Sequence, residues 1–203
     1  MDYTEKLKLT RIPRRFWGVS LEDYEVTGDG TKRVKDAVEQ YLDTIHDKKE
    51  WGTGLTLLGP PGTGKTMLLS VIGRYALEQG YSVLYVPLAL YIRWMLNMIS
   101  WQDWATAEQD WEKLRQVTLR IRNKVDFLLL DDVGKEHKTN SRYAEDEFDF
   151  LIRHRYDCAR PTLMTSNTPL ADWVTAYSEA MESFIHEAAP VIEFDVKDRR
   201  KRP

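Results

Sequence analysis

The sequence has very little cysteine and no long apolar run. Its single cysteine, Cys158, excludes an intrachain disulfide and fits a reducing compartment. Nowhere do roughly 18 apolar residues follow one another, as a membrane-spanning helix requires, and the N-terminus lacks the apolar centre of a secretion signal. We therefore expect the chain to work in the cytoplasm and without a membrane partner.

Metal-binding patterns and a strong net charge are also missing. No histidine stands at zinc-ligand spacing from another or beside a second cysteine, so we expect no zinc site held by the protein. The formal net charge of -3 gives no general attraction to nucleic acid. Basic residues nevertheless gather at both ends of the chain: Lys6, Lys8, Arg11, Arg14 and Arg15 near the N-terminus, and Lys197, Arg199, Arg200, Lys201 and Arg202 near the C-terminus. Each group is either a solvated tail or a local contact patch, and the sequence leaves both interpretations open.

The composition and the order of apolar segments indicate a folded α/β domain. Hydrophobic residues make up 42% of the chain and charged residues 30%, which is typical of a soluble globular domain of this length. Short apolar runs predict five strands at residues 54–58, 82–86, 125–130, 161–165 and 191–194. Helical spacing predicts an amphipathic helix at residues 31–46 and a second helix at residues 66–79. Because strands and helices alternate, we predict a five-stranded parallel sheet with helices on both faces.

We expect one compact unit rather than two independent domains. In this division, residues 1–50 are an N-terminal segment that carries the amphipathic helix, and residues 51–203 are a single globular unit.

The long stretch between the second and third predicted strands is rich in tryptophan. It contains Trp94, Trp101, Trp104 and Trp111. One interpretation is a pair of helices whose tryptophans fill a core. The other is a platform for nucleic-acid bases or for a partner helix. Trp94 and Trp111 lie in helix-like segments and favour the first interpretation, whereas Trp101 and Trp104 lie in a poorly periodic segment and favour the second.

The most specific motif lies between the first predicted strand and the helix after it. It consists of Gly59, Pro60, Pro61, Gly62, Thr63, Gly64, Lys65 and Thr66 and fits the P-loop pattern. Glycines let the backbone curl so that its N–H groups face phosphate oxygens, and the helix N-terminus adds partial positive charge. We expect Lys65 to neutralise the β- and γ-phosphates of ATP during catalysis, and the Thr66 hydroxyl to bind Mg²⁺.

Two acidic residues follow the third predicted strand, in the segment Phe127-Leu128-Leu129-Leu130-Asp131-Asp132. A carboxylate at the end of a neighbouring strand is what a magnesium site beside a P-loop needs, so Asp131 is the expected second Mg²⁺ ligand. Asp132 could polarise the attacking water as general base, with Glu136 as a weaker alternative.

The fourth predicted strand ends in Thr165-Ser166-Asn167. An amide at this point would reach the γ-phosphate and the attacking water from the adjacent strand. The same residues could simply open a turn, but their position after the two phosphate-site motifs favours a catalytic role for Asn167.

Four segments together resemble one branch of the AAA+ ATPases, which contains the DnaC and DnaI helicase loaders and the IstB transposition helpers. They are IPRRFWGVSLEDY, GPPGTGKT, FLLLDDVGKE and RHRYDCARPTLMTSN, and the resemblance extends from about residue 12 to residue 200. The short segment before the P-loop suits a compact phage-type or IstB-type member. The resemblance implies an ATPase that binds a DnaB-type replicative helicase and single-stranded DNA, or alternatively an IstB-like helper that coats duplex DNA. Self-association is left open.

The resemblance also implies two arginines, of which the sequence supplies one. Related proteins carry an arginine that acts on the ATP of a neighbouring subunit, but the matching segment here, residues 180–184, has Ser183. Arg153 and Arg155 are alternative sources, although a salt-bridged helix face is the simpler interpretation of that pair. Arg199 or Arg200 matches the nucleotide-contacting sensor 2 arginine, and no substantial C-terminal lid is expected. The serine makes a third function worth testing, a nucleotide-switched adaptor with little hydrolysis, while a small-molecule kinase is disfavoured because the chain shows no acceptor pocket or lid.

Overall fold

The computed structural model describes residues 2–101, 108–134 and 142–195. The strands of this part of the chain are β1 (Leu55–Leu58), β2 (Val83–Pro87), β3 (Phe127–Val133), β4 (Thr162–Ser166) and β5 (Val191–Glu193). The α-helices are α1 (Tyr3–Thr10), α2 (Asp29–Asp43), α3 (Ile45–Trp51), α4 (Lys65–Glu78), α5 (Leu88–Trp101), α6 (Glu108–Asn123), α7 (Tyr143–Asp157), α8 (Leu170–Ala176) and α9 (Glu179–Ala188). Short 3-10 turns at Arg14–Phe16 and Leu21–Asp23 connect α1 to α2.

The strands form one sheet in the order β2-β3-β4-β1-β5. Every neighbouring pair is parallel, and β3 lies between β2 and β4. The carboxyl ends of β1, β3 and β4 therefore meet at one edge of the sheet, where a ligand site is expected in this architecture. The prediction of an α/β fold with five parallel strands is confirmed.

Alternate residues of β3 face opposite sides of the sheet, which explains why its sequence is apolar throughout. Phe127 and Leu129 belong to a cluster with residues of α2, α4 and the N-terminal segment. Leu128 and Leu130 belong to a second cluster with residues of α5 to α9. Helices thus cover both faces of the sheet, as predicted.

The N-terminal segment is folded onto the sheet and is not a solvated tail. Leu7 of α1 and Ile12 are buried, and Val34 and Val38 of α2 enter the same cluster as β1 and α4. The helix predicted at residues 31–46 is divided at Thr44, where the backbone leaves the helical conformation and α3 begins. The division proposed at residue 50 falls within α3, so the two parts share one core.

In the part of the chain that the structure describes, the insertion between β2 and β3 contains α5 and α6. Trp94 is partly buried against the cluster under these helices, and the Arg11 guanidinium lies 5.2 Å from its ring centroid. Trp104 and the side chains of Trp101 and Trp111 lie outside what the structure describes. No helix in the described ranges is both long and apolar enough to cross a membrane.

Candidate nucleotide-binding site

The P-loop leaves the end of β1 and curls into α4 with a backbone that needs glycine. Gly59 and Gly64 have φ angles of 150° and 99°, a range that side chains rarely adopt. A Cβ atom on Gly59 would lie 2.6 Å from the Cβ of Phe194, and one on Gly64 would lie 3.0 Å from the ring of Tyr24. The backbone conformation and the lack of room for a Cβ atom therefore both require glycine at these two positions. Phe194 and Tyr24 pack against the loop at these glycines.

Lys65 begins α4 and is almost fully buried. Its ammonium donates hydrogen bonds to the carbonyl oxygens of Gly59 (2.6 Å) and Pro60 (2.7 Å). Thr63 donates its hydroxyl to the carbonyl of Pro60 at 3.0 Å, which fixes the same turn. The charge of Lys65 is therefore placed inside the curl of the loop, where phosphate oxygens would bind.

The Asp131 carboxylate lies directly across from the start of α4. Thr66 donates its hydroxyl to both carboxylate oxygens, at 3.1 and 3.3 Å. Tyr85 of β2 and Thr165 of β4 donate theirs at 2.5 Å each. Burial, and after it the Asp131 charge, raise the pKa of Tyr85 above its usual range, so the phenol stays a donor. The three hydroxyl groups fix the orientation of Asp131 toward Thr66.

β3 continues past the predicted end at residue 130 and contains an irregularity at the two acidic residues. Leu130 pairs with Met164 and Val133 pairs with Ser166, so β3 has one more residue than β4 over this interval. Asp132 adopts a φ of 60°, in the left-handed region, and its N–H donates to the Thr165 hydroxyl at 2.9 Å. The bulge turns two adjacent carboxylates toward the same opening, which a regular strand would send to opposite faces.

A cavity of about 540 Å³ brings the predicted residues together. Its lining includes Gly62, Gly64, Lys65, Thr66, Asp131, Asp132 and Asn167. Asn167 follows the last residue of β4 and reaches the cavity from the strand beside β3. The same lining contains four residues for which the sequence predicted no role at this site, Arg15, Phe16, Met67 and Tyr85.

The residues present fit a nucleoside triphosphate and Mg²⁺. The glycine curl, the inward ammonium of Lys65 and the N-terminus of α4 supply the groups that bind phosphate oxygens. Thr66 and Asp131 are a hydroxyl and a carboxylate already in contact, and Mg²⁺ takes few protein ligands of this kind. Within the described ranges no group of three or more His, Cys, Asp or Glu side chains could hold a metal ion, which is compatible with a site of one carboxylate and one hydroxyl.

The two alternative sources of an intersubunit arginine differ sharply in their surroundings. Arg155 is fully buried and donates to backbone carbonyls, so the expectation of a salt-bridged helix face is wrong for this residue. Arg153 is partly exposed, pairs with Asp149 at 2.9 Å and lies over the ring of Phe184, as that expectation required. Ser183 is exposed on α9. Glu136, Arg199 and Arg200 lie outside the described residues.

Comparison with known proteins places these features in a family. A family model described as IstB-like ATP binding protein matches residues 4–186. The replicative helicase loader DnaC of Buchnera aphidicola (subsp. Schizaphis graminum) is 29% identical over 156 residues, which are 77% of this chain and 58% of the relative. The insertion sequence IS21 putative ATP-binding protein of Pseudomonas aeruginosa is 30% identical over 171 residues, 83% of this chain and 56% of the relative. The chain therefore spans little more than half the length of these two relatives.

Solved structures show the same fold. The crystal structure of the DnaC helicase loader aligns with a TM-score of 0.71 at 20% identity, over 90% of this chain and all of that one. The crystal structure of DnaI aligns with a TM-score of 0.67 at 25% identity, over 91% of this chain and 95% of that one. The parallel sheet with its covering helices is thus that of an α/β AAA+ domain, and the chain belongs to the IstB-like ATP-binding protein family.

Proposed function

We propose that this chain binds and hydrolyses ATP in order to load a DnaB-type replicative helicase onto single-stranded DNA in a bacterial cytoplasm. The proposal of ATP binding and hydrolysis rests on the cavity that Lys65, Thr66 and Asp131 line together. The loader part is supported by similarity to proteins named as helicase loaders over 77% of the chain.

In this proposal each residue of the cavity has a distinct task. Backbone N–H groups of the P-loop and the Lys65 ammonium bind the β- and γ-phosphates. Thr66 and Asp131 hold Mg²⁺, which supplies charge stabilisation at the phosphates when bound. Asp132 accepts a proton from the attacking water and Asn167 orients that water. Arg199 is assigned to the nucleotide by resemblance alone.

An IstB-like transposition helper is the second candidate, and the family model and the 30% identical IS21 relative favour it. The two functions differ in DNA and in protein partner. A loader should bind single-stranded DNA and form an ATP-dependent complex with the DnaB-type helicase of its own genome. A transposition helper should instead bind duplex DNA and ignore the helicase.

The deciding experiment measures both kinds of binding at several fixed salt concentrations, because binding to DNA phosphates weakens steeply with salt. Single-stranded and duplex oligonucleotides of equal length are titrated with the full chain, with ATP or with ADP. In parallel, the purified helicase is tested for co-elution under both nucleotides. Duplex preference without helicase binding would replace the loader proposal by the transposition proposal.

A switched adaptor with little hydrolysis is favoured by the serine at position 183 and by the burial of Arg155. An arginine supplied by a neighbour contributes about 10³–10⁵ to the rate in the GTPases where it is known. We therefore expect slow turnover whose rate per molecule does not rise with protein concentration. A steep rise that Arg153→Ala abolishes would show that self-association supplies the arginine from α7.

A further inference from the structure

The N-terminal segment contributes a cation to the wall of the nucleotide cavity. Arg15 and Phe16, from the 3-10 turn at Arg14–Phe16, line the cavity together with Lys65, Tyr85 and Asp131. Among the described lining residues, the cations are Arg15 and Lys65 and the anions are Asp131 and Asp132. Lys65 is bonded inside the P-loop, whereas Arg15 is exposed and makes no ion pair with another described residue.

The backbone that carries Arg15 is fastened to the helix that follows the P-loop. Arg74 of α4 donates to the carbonyl oxygens of Val19 and Phe16. The Trp17 indole donates to the carbonyl of Ile12 at 2.8 Å, and Ile12 is buried. The Arg15 side chain thus extends from a turn that is hydrogen-bonded to α4, the helix that begins with Lys65 and Thr66 of the phosphate site.

Arg15 lines the same cavity as Asp131, Asp132 and Asn167, the residues assigned above to the metal and to the attacking water. The guanidinium carbon of Arg15 lies over the Phe16 ring, 4.7 Å from its centroid. The planar N–H groups of a guanidinium match the geometry of phosphate oxygens.

We propose that Arg15 is a nucleotide-binding residue that donates hydrogen bonds to the terminal phosphate of ATP bound in its own chain. This rests on the nucleotide site proposed above. A triphosphate brings more negative charge than Lys65 and one Mg²⁺ neutralise, and Arg15 supplies the remaining cation from the N-terminal segment. The chain would in this way distinguish ATP from ADP without help from a neighbouring subunit.

The adjacent Arg14 provides a matched control. It is also an exposed arginine of the same turn, but it lies over the Trp17 ring at 5.9 Å and is not among the residues that line the cavity. The two substitutions Arg15→Gln and Arg14→Gln remove one charge each from neighbouring positions. Because both side chains are exposed, both variants should unfold at the temperature of the unchanged protein.

The test is calorimetric titration of the full chain with ATP and with ADP, in the presence of Mg²⁺, for the unchanged protein, the two glutamine variants and Lys65→Ala. We expect Arg15→Gln to weaken ATP binding about 10- to 100-fold, the usual effect of losing a hydrogen bond to a charged group, and to change ADP binding by less than about 3-fold. Arg14→Gln should leave both affinities unchanged.

Equal loss for ATP and ADP, or no loss for either, would overturn the assignment of Arg15 to the terminal phosphate. Failure of the unchanged protein to bind ATP, or full ATP affinity in Lys65→Ala, would instead overturn the nucleotide site itself. The two failures are therefore distinguishable in one series of titrations.

Discussion

At the scale of single residues, Asp131 is the point where three elements of the fold meet. It accepts hydroxyl hydrogen bonds from Thr66 of α4, Tyr85 of β2 and Thr165 of β4. A carboxylate with three hydrogen-bond donors has little freedom to rotate. The conformational entropy of its side chain is therefore lost when the protein folds and not when a metal binds. Tyr85 and Thr165 make the shortest of these contacts, at 2.5 Å each, and Tyr85 comes from the edge strand.

We expect Tyr85→Phe to raise the Mg²⁺ concentration needed for tight ATP binding by about 3- to 10-fold, because one of the groups orienting Asp131 is lost. The measurement is ATP affinity across a Mg²⁺ titration. Tyr81→Phe is the control, since its hydroxyl contacts His46, away from the cavity. Identical Mg²⁺ dependence in both variants would show that Tyr85 does not position the metal ligand.

The second carboxylate gives a prediction about hydrolysis. Asp132→Asn should bind ATP and Mg²⁺ normally but hydrolyse ATP about 10²–10⁴-fold more slowly, because the geometry is kept while the basic group is lost. Asparagine tolerates the left-handed backbone at this position, so strain is not a competing cause. Single-turnover hydrolysis is the appropriate readout. Unchanged turnover would assign the role of general base to Glu136.

The sequence was sufficient to predict Lys65, Thr66, Asp131 and Asn167 at one site, since each lies in a motif at the end of a predicted strand. Tyr85 could not be found in this way, because its role depends on the pairing of β2 with β3. In the observed register Tyr85 lies opposite Leu129, so its side chain shares a face with Asp131, two residues further on. Arg15 could not be found either, because a basic residue near a terminus is usually solvated.

At the scale of elements, a buried arginine joins α7 to the ends of α6 and β4. Arg155 donates to the carbonyls of Ile121, Val125, Asp126 and Pro161 and to the hydroxyl of Thr162. Burial, and after it the Arg160 charge, lowers the pKa of Arg155 to about 9, so the guanidinium remains charged at neutral pH. Sequence periodicity cannot reveal such a residue, because it occupies a core position with a polar side chain.

Arg155→Leu should lower the free energy of unfolding by about 3 kcal/mol or more, because several buried carbonyls lose their donor at roughly 1 kcal/mol each. Arg153→Ala, on the same helix but half exposed, should cost less than about 1 kcal/mol. Urea denaturation of both variants tests the contrast. Similar stabilities would contradict the structural role given to Arg155.

The insertion that contains α5 and α6 is the predicted contact region for single-stranded DNA or for the helicase. Replacement of both Trp101 and Trp104 by alanine should weaken binding to single-stranded DNA or to the helicase and leave ATP affinity intact, since a stacked base contributes roughly 1–3 kcal/mol. Trp51→Ala is the control, because Trp51 is 72% exposed on α3. Loss of folding in the double variant would favour a core role for the pair.

At the scale of the whole molecule, the N-terminal segment and the sheet together form the nucleotide cavity. The sequence predicted the five strands and the helix that became α4 well, because buried parallel strands and helices have distinct patterns. It did not predict that α1 and the following turn fold back onto α4, because that packing depends on a few apolar residues, such as Leu7 and Ile12, among many charged ones. Nucleotide binding should therefore depend on both parts of the chain.

The central claim is that this cavity binds ATP through its P-loop, and the most direct test is calorimetric titration of Lys65→Ala beside the unchanged chain. Lys65 supplies the phosphate-binding charge inside the loop. We predict that the unchanged protein binds ATP in the presence of Mg²⁺ and that Lys65→Ala loses this binding while keeping its unfolding temperature within a few degrees. A folded Lys65→Ala variant that binds ATP as tightly as the unchanged protein would contradict the account.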